Sequence, residues 1–382
     1  MAHDKTKPAI GIDARFYGPI GKGLGRYTER LINSLEKLNS DFRFFVFLKR
    51  ENWFEYQPKN KLFTKVLAPY QWYSVSEQTK FLAHLLKYGL DLVHFAHFNV
   101  PLLYRRKFIT TIHDLILTEF PTERATTLGA FRYKIKHYAS QLVLRNAAKK
   151  SAKIVTVSDY SAQEISQRLK VPLSKISVIY EGSDLSPSFD DAKAPNLKAG
   201  LPQDYVLYVG NVYPHKNVEK LLLAWKKLKD RGRTESLILV GRMDYFYKRV
   251  RSLASELDLD RLPAQVIFPG FVNDRELLWL YKNAKMYVFP SLMEGFGLPA
   301  LEAMQAGVPV VSAKSSCLTE ILGEAAHYFD PHNPDNMAQE MSKVLDSDDL
   351  RQSLINKGHK QADKYQWDKT AQKTLELYQE LL

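Results

Sequence analysis

At 382 residues the chain exceeds one ordinary domain, and with 45% hydrophobic and 25% charged residues its composition is that of a globular protein. A single cysteine, Cys317, excludes an intrachain disulfide and a thiolate-rich metal site and fits a reducing, cytosolic compartment. The N-terminus MAHDKTKP lacks a signal peptide's apolar stretch, no window approaches the roughly 18 uncharged apolar residues of a spanning helix, and the net charge is +12.

In chain order, strand-like runs fall at 9–14, 42–48, 91–95, 108–112, 153–158 and 176–180. Several are apolar on both faces, as buried parallel strands are. Helix-like segments lie between them at 22–38, 74–88, 125–149 and 159–169. Ser158, followed by Ser161 and Glu164, reads as a helix start. The segment 182–204 is rich in Pro, Ser, Asp and Ala, has no periodicity and reads as a linker. The pattern then restarts with runs at 205–210, 236–241, 265–270, 286–291 and 308–313, again alternating with helices. Residues 333–382 read as helical throughout. Two successive βαβ series imply two doubly wound, Rossmann-like α/β domains with a cleft between them. In such sheets ligands collect beyond the C-terminal ends of the strands, so the residues just after each strand are the informative ones.

After the first strand comes GPIGKGLGRY, with Gly18, Gly21, Gly23 and Gly25 leading into a helix. Glycines there let backbone N–H groups approach an anion at a helix N-terminus, and a plain flexible turn has the same composition. The spacing is not a dinucleotide fingerprint, because Thr28 stands where a third glycine is needed, and it is not a P-loop. The run at 108–112 leads into His113-Asp114. A histidine there suits contact with a substrate hydroxyl or proton transfer, and equally suits capping or packing. His94 and His97 read as packing residues. No His/Cys/Asp/Glu cluster has metal-ligand spacing, so no metal and no cofactor is expected.

Strand 205–210 runs into Gly210-Asn211-Val-Tyr-Pro-His-Lys216-Asn217 and then a helix. A cation at a helix start opposes the dipole, which is sensible if an anion bridges the two; a solvated lysine is the plainer reading. Arg242, after the next strand, is a second candidate cation. The most informative stretch is SLMEGFGLPALEA (291–303). Glu294 falls in a loop. Gly295 and Gly297 allow close backbone approach, Pro299 suits a first helical turn, and Glu302 follows one or two turns in. Two carboxylates flanking a set of N–H groups match a nucleotide sugar: hydroxyls, diphosphate, then ribose hydroxyls.

These residues resemble the retaining glycosyltransferases of family 4, and the resemblance covers nearly the whole chain. It is carried by GIDAR and GKGLGRYTERL, TIHDLIL at 111–117, TVSDYS at 156–161, YVGNVYPHKN at 208–217, LVGR at 239–242, and EGFGLPALEAMQAGVPVV at 294–311, which is similar to that family's Glu-x7-Glu motif. GLGRYT with HDLIL resembles the mannosyltransferase-like branch of bacterial surface-polysaccharide synthesis. The resemblance implies the GT-B fold. The domains would be 1–185 on the acceptor side and 186–365 for the nucleotide sugar, with 366–382 a helix returning to the N-terminal domain. It implies catalytic roles for Glu294, His113 and Lys216. Donor binding would fall to Gly23, Gly25, Asn211, Lys216, Arg242, Glu294, Gly295, Phe296, Gly297, Leu298 and Glu302. Glu294 would take donor-sugar hydroxyls, Glu302 the ribose, Lys216 the diphosphate, and Phe296 and Gly297 would offer backbone N–H groups. Two positions depart from the pattern. Asn211 replaces a common Arg, which makes Arg242 the substitute phosphate cation, and Glu181-Gly182 stands where Asn-Gly is common.

The expected reaction is transfer of a hexose, mannose from GDP-mannose, onto a saccharide or polyprenyl-linked acceptor. A UDP-glucose or UDP-N-acetylhexosamine transferase and a nucleotide-sugar 2-epimerase are the alternatives. All the excess charge lies in the first half: residues 1–190 hold 29 Lys and Arg against 17 Asp and Glu, and residues 191–382 hold 25 against 25. This reads either as solubility or as an anionic membrane surface met by residues 131–137, on a cytoplasmic protein peripheral to the inner face of the plasma membrane. No recognised module supports nucleic-acid binding.

Overall fold

The computed structural model describes residues 7–116, 130–183 and 201–382, with the side chains of 130–134 left aside. Residues 184–200 of the expected 182–204 linker therefore lie outside the described residues. The chain folds into two compact units. One is Met1–Gly182 with Gln366–Leu382; the other is Ser183–Tyr365.

The first unit runs β1 (Ala9–Asp13), α1 (Lys22–Leu35), β2 (Arg43–Leu48), β3 (Phe63–Leu67), α2 (Leu82–Leu86), β4 (Leu92–Phe95), β5 (Phe108–Thr111), α3 (Ala130–Lys150), β6 (Lys153–Thr156), α4 (Asp159–Leu169) and β7 (Ile176–Val178). Its sheet has seven parallel strands in the order β3-β2-β1-β4-β5-β6-β7. The chain reverses direction across the sheet between β1 and β4, so their C-terminal ends frame a crevice. The second unit runs β8 (Tyr205–Val209), α5 (Val218–Asp230), β9 (Ser236–Val240), α6 (Tyr245–Glu256), β10 (Val266–Gly270), α7 (Asp274–Asn283), β11 (Met286–Phe289), α8 (Leu298–Gln305), β12 (Val310–Ala313), α9 (Leu318–Leu322), β13 (Ala326–Phe329), α10 (Pro334–Asp346) and α11 (Asp348–Ala362). Its six parallel strands lie in the order β10-β9-β8-β11-β12-β13, with the switch point between β8 and β11.

The central strands are apolar on both faces because helices cover both; β1, β4, β5, β11 and β12 are buried end to end. Helix starts follow side-chain caps. Ser158 accepts from the Ser161 N–H at 3.1 Å, Asp244 accepts from Phe246 and Tyr247, and Asn273 with Glu276 forms a capping box. The expected 74–88 helix is instead a π-helical turn, Glu77–Phe81, followed by the short α2. The helical tail is broken at Ser347 and again before Trp367, giving α10, α11 and then α12 (Trp367–Leu381).

Helix α12 belongs to the first unit. Trp367, Ala371, Leu375 and Tyr378 recur at helical spacing and join Ile10, Ile12, Tyr27, Phe44 and Leu92 in one core cluster. The Tyr378 hydroxyl meets His94 Nδ1 at 2.6 Å, and His94 Nε2 meets Thr111 Oγ1 at 2.8 Å. A buried side chain the size of Leu375 contributes about 1.5–3 kcal/mol, so α12 is a structural part of this unit.

Candidate active site

In the second unit, the site residues all follow strand ends. Asn211 and Lys216 come after β8, Arg242 after β9, and Glu294 to Leu298 after β11. Two ties hold the β8 and β11 loops together. The Leu292 N–H donates to the His215 carbonyl at 2.7 Å. The Asn217 amide donates to the carbonyls of Pro290 and Pro331 at 3.1 and 2.8 Å. Asn217 adopts φ 59°, in the left-handed region, and ends the short 3-10 turn Pro214–Lys216 that aims Lys216.

The consequence is a direct ion pair at the switch point, with Lys216 Nζ 2.6 Å from Glu294 Oε1 and the two side chains only 15% and 10% exposed. A lysine ammonium carries three N–H donors, so this pairing leaves two for an anion. His215 beside it has its pKa pushed down to about 4, by burial and then by the Lys216 charge, so the one cation at this turn at neutral pH is Lys216.

Glu294 is held from the other side. Its N–H donates to Ser316 Oγ at 3.1 Å, and the thiol of buried Cys317 lies 3.2 Å from its carbonyl oxygen and 3.4 Å from that of Phe296. Gly297, at φ 110°, turns the chain into α8; a side chain there would be strained. Helix α8 opens with Leu298 and Pro299, a residue that has no N–H to satisfy, and its early turns carry the positive end of the dipole. Phe296 puts its ring into the core, edge-on to Tyr365 at 5.4 Å, so only its backbone is left for a ligand. Glu302, one turn further, is 5% exposed, with the Tyr281 hydroxyl 3.4 Å from its Oε2. Gly295 lies buried between Glu294 and Phe296.

Asn211 and Arg242 are exposed. The Asn211 side chain accepts from the Tyr213 N–H at 3.4 Å and its carbonyl accepts from the Tyr208 hydroxyl, so it shapes its own loop. Among the described residues Arg242 forms no ion pair.

In the first unit, α1 begins at Lys22, so Gly23 and Gly25 lie in its first turn. Their surroundings differ sharply. A Cβ on Gly25 would lie 2.0 Å from the Gly18 carbonyl oxygen and 2.5 Å from that of Phe16, whereas a Cβ on Gly23 would meet nothing within 4 Å. Gly25 is required by packing; Gly23 faces open space. His113, after β5, is 12% exposed. Its Nδ1 lies 3.0 Å from Glu181 Oε1, its Nε2 3.4 Å from the Ala96 carbonyl, and its ring stands edge-on to Tyr27 at 4.5 Å. Glu181 is thus a partner of the expected site histidine, legible in the sequence only as a departure from Asn. Among the described residues, no group of three or more His, Cys, Asp or Glu could hold a metal ion.

Beneath the loop after β1 lies a further network that sequence reading missed. Arg15, fully buried, makes two bonds to Asp13 (2.8 and 2.7 Å) and one to Glu77 (2.7 Å), under which the Phe81 ring sits 3.9 Å from its guanidinium carbon. On the same unit, the exposed face of α3 carries Ile135, Tyr138 and Leu142 with Lys136, Arg145, Lys149 and Lys150, and the 21-residue helix contains no acidic residue. The side chains of 131–134, four of the seven residues of the expected membrane contact, lie outside the described residues. Among the described residues no helix is long and apolar enough to cross a membrane.

Two parallel, Rossmann-type sheets, with a part-buried cation–carboxylate pair at the strand switch point of the second, are the sheet architecture of the GT-B class. The comparisons agree. Residues 21–187 match the model described as Glycosyltransferase Family 4, and residues 190–361 match Glycosyl transferases group 1. The chain is 31% identical over 297 residues to O-antigen chain mannosyltransferase B of Escherichia coli, covering 75% of this chain and 74% of that one. It is 29% identical to O-antigen chain mannosyltransferase RfbU of Salmonella typhimurium, covering 76% and 74%. Among solved structures, sucrose-phosphate synthase from Thermosynechococcus elongatus superposes with a TM-score of 0.76 at 21% identity, covering 98% of this chain and 99% of that one. Anabaena Alr3699/HepE in complex with UDP-glucose gives 0.72 at 16%, covering 98% and 100%. The chain belongs to the family 4 glycosyltransferases, and it is a glycosyltransferase with the GT-B fold.

Proposed function

We propose that the protein transfers mannose from GDP-mannose, with retention of anomeric configuration, onto a saccharide or polyprenyl-linked saccharide in surface-polysaccharide synthesis. The names of the two mannosyltransferase relatives support the sugar and the pathway class. The observation that carries the reading is the Lys216–Glu294 pair beside the start of α8.

Lys216 shares one donor with Glu294 and directs the others at the donor's diphosphate, where the α8 dipole also favours negative charge. The second Glu294 oxygen accepts donor-sugar hydroxyls, and Glu302 accepts from the ribose. The N–H groups of Gly295, Phe296, Gly297 and Leu298 line the phosphate turn, while Asn211 and Arg242 stand at its rim. On the first unit, the N–H at Gly23, with Gly25 shaping the turn, donates to a phosphate oxygen, and His113 bonds a donor-sugar hydroxyl. The bond from the anomeric carbon to the phosphate oxygen breaks, and the acceptor oxygen bonds that carbon on the same face. The departing phosphate oxygen takes the acceptor's proton. The charge of the leaving diphosphate is met by Lys216 and backbone dipoles, so transfer is expected to continue in EDTA.

Two experiments test this. Glu294→Ala should abolish transfer; near-normal turnover would overturn the assignment. A thermal-shift panel of GDP-mannose, UDP-glucose and ADP-glucose should show stabilisation by the GDP sugar through mass action, and a shift with UDP-glucose alone would move the reading to a UDP-dependent transferase.

The α3 face favours a location. Three exposed apolar residues set among four cations, with no acid on the helix, suit the headgroup layer of an anionic bilayer on the cytoplasmic side. Co-sedimentation with vesicles containing anionic lipid at low salt is expected; none would remove this part of the reading.

A further inference from the structure

Three loops of the first unit converge at the crevice between β1 and β4, and what they assemble is aromatic. Phe16, after β1, stacks flat on Trp72, in the loop after β3, with ring centroids 4.3 Å apart and planes within 4°. Phe16 also meets the edge of His97, after β4, at 5.4 Å. Tyr73 completes the group, with its hydroxyl turned inward to His97 Nε2 at 2.7 Å while the residue stays 51% exposed. A tyrosine that anchors its polar end while half of the residue stays exposed is arranged for contact, since a core tyrosine would be buried throughout.

The backbone beneath is held by unusual means. Tyr73 sits at φ 54°, a left-handed conformation that a bulky residue adopts only when its surroundings impose it. Its N–H donates to Glu77 Oε2 at 2.9 Å, and the other Glu77 oxygen is gripped by Arg15 at 2.7 Å and Asn99 at 2.5 Å. The buried Asp13–Arg15–Glu77 network therefore fixes the residue that bears the exposed ring. Alongside, His97 Nδ1 and Trp72 Nε1 are buried without a hydrogen-bond partner among the described residues. Burial pushes the His97 pKa down to about 3, so that ring is neutral.

The group is continuous with site residues of its own unit. The Phe16 carbonyl packs where a Cβ on Gly21 or Gly25 would fall, and Ala96, next to His97, lies with its carbonyl 3.4 Å from His113 Nε2. The aromatic group spans the distance between the glycine turn and the histidine.

We propose that Tyr73, packed against His97 and Phe98 and joined through His97 to the Phe16–Trp72 stack, is the platform on which a sugar ring of the acceptor saccharide stacks. A pyranose offers one apolar C–H face for the tyrosine ring and a rim of hydroxyls for neighbouring polar groups. The inference rests on the transferase reading above and names which residues select the acceptor.

The test compares Tyr73→Asn, Tyr73→Phe and the unaltered chain. Asparagine tolerates the left-handed backbone, so it removes the ring without adding strain. The assay uses GDP-mannose with a soluble α-linked mannose oligosaccharide, and follows both transfer and acceptor-independent donor hydrolysis. Tyr73→Asn should raise the acceptor concentration for half-maximal transfer about tenfold or more, a difference of about 1.4 kcal/mol. Donor half-saturation and hydrolysis should stay within twofold, and Tyr73→Phe should stay within about threefold on all counts. Unchanged acceptor saturation in Tyr73→Asn, or a raised donor requirement in its place, overturns the platform while the transferase reading stands. If the unaltered chain neither hydrolyses the donor nor transfers from it, both fall together.

Discussion

Replacing Gly23 by alanine separates a glycine kept for packing from one kept for a ligand. Gly23 lies in the first turn of α1, has no positive φ, and an added Cβ there meets no atom within 4 Å. Alanine in a helix is favoured over glycine by about 0.5–1 kcal/mol, so the variant should be as stable as the parent or slightly more so. For a unit of this size that is a rise of about 1–3 °C in melting temperature. If the N–H at this position approaches a phosphate oxygen, the new methyl stands in the way, and kcat/KM for the nucleotide sugar should fall about 10²-fold, the loss seen when one transition-state donor is removed. Gly25→Ala is the contrasting variant. Its Cβ would press on two carbonyl oxygens at 2.0 and 2.5 Å, so it should lose stability by about 1–3 kcal/mol and with it any activity. The assay pairs thermal unfolding with release of the nucleoside diphosphate. A Gly23→Ala protein of unchanged stability and full turnover would refute the reasoning and leave the loop a plain turn.

Other outcomes follow from the same geometry. Lys216→Met leaves the largely buried Glu294 carboxylate without its cation. It should lower kcat by about 10²–10³, and unfolding in urea should report a loss of about 1–3 kcal/mol. Arg242→Ala should leave stability unchanged within about 0.5 kcal/mol, because Arg242 is exposed, and should raise donor KM if Arg242 stands in for the cation that Asn211 lacks. His94 and His97 have pKa values pushed down by burial to about 3, against about 6.5 unfolded, so the unfolded chain binds more protons between these values. Their stabilisation is complete above pH 6.5 and is lost as the pH falls toward 3. Lowering the pH from about 7.5 to about 5.5 should cost about 1.4 kcal/mol for each, and His94→Asn, measured by urea titration at both values, should lose that share of the dependence.

What the sequence disclosed tracks how completely each element is buried. β1, β5, β11 and β12 are buried end to end and read as runs dominated by apolar and β-branched residues. β3 and β13 are edge strands: Phe63-Thr-Lys-Val-Leu67 carries a half-buried Lys65, and Ala-His-Tyr-Phe329 only half-buries its middle, so neither stands out from loop composition. Lys216 and Glu294 were visible singly, as a cation before a helix and an acid after a strand. Their contact depends on the parallel pairing of β8 with β11 across a separation of 78 residues. The same distance effect hid Glu181, 68 residues from His113, and Glu77, 62 residues from Arg15. Tyr73 left no mark, since an exposed tyrosine in a loop looks ordinary until its backbone conformation and its hydroxyl's partner are known.

The reaction is defined by what leaves the donor and by the configuration in which it arrives. One measurement tests it most directly: proton NMR of the anomeric region while the protein acts on GDP-mannose, an α-linked donor, and a mannose oligosaccharide. One new α-mannosidic signal should appear for each GDP released, and Glu294→Ala should show neither. A β signal, or transfer seen only when UDP-glucose replaces GDP-mannose, would contradict the account.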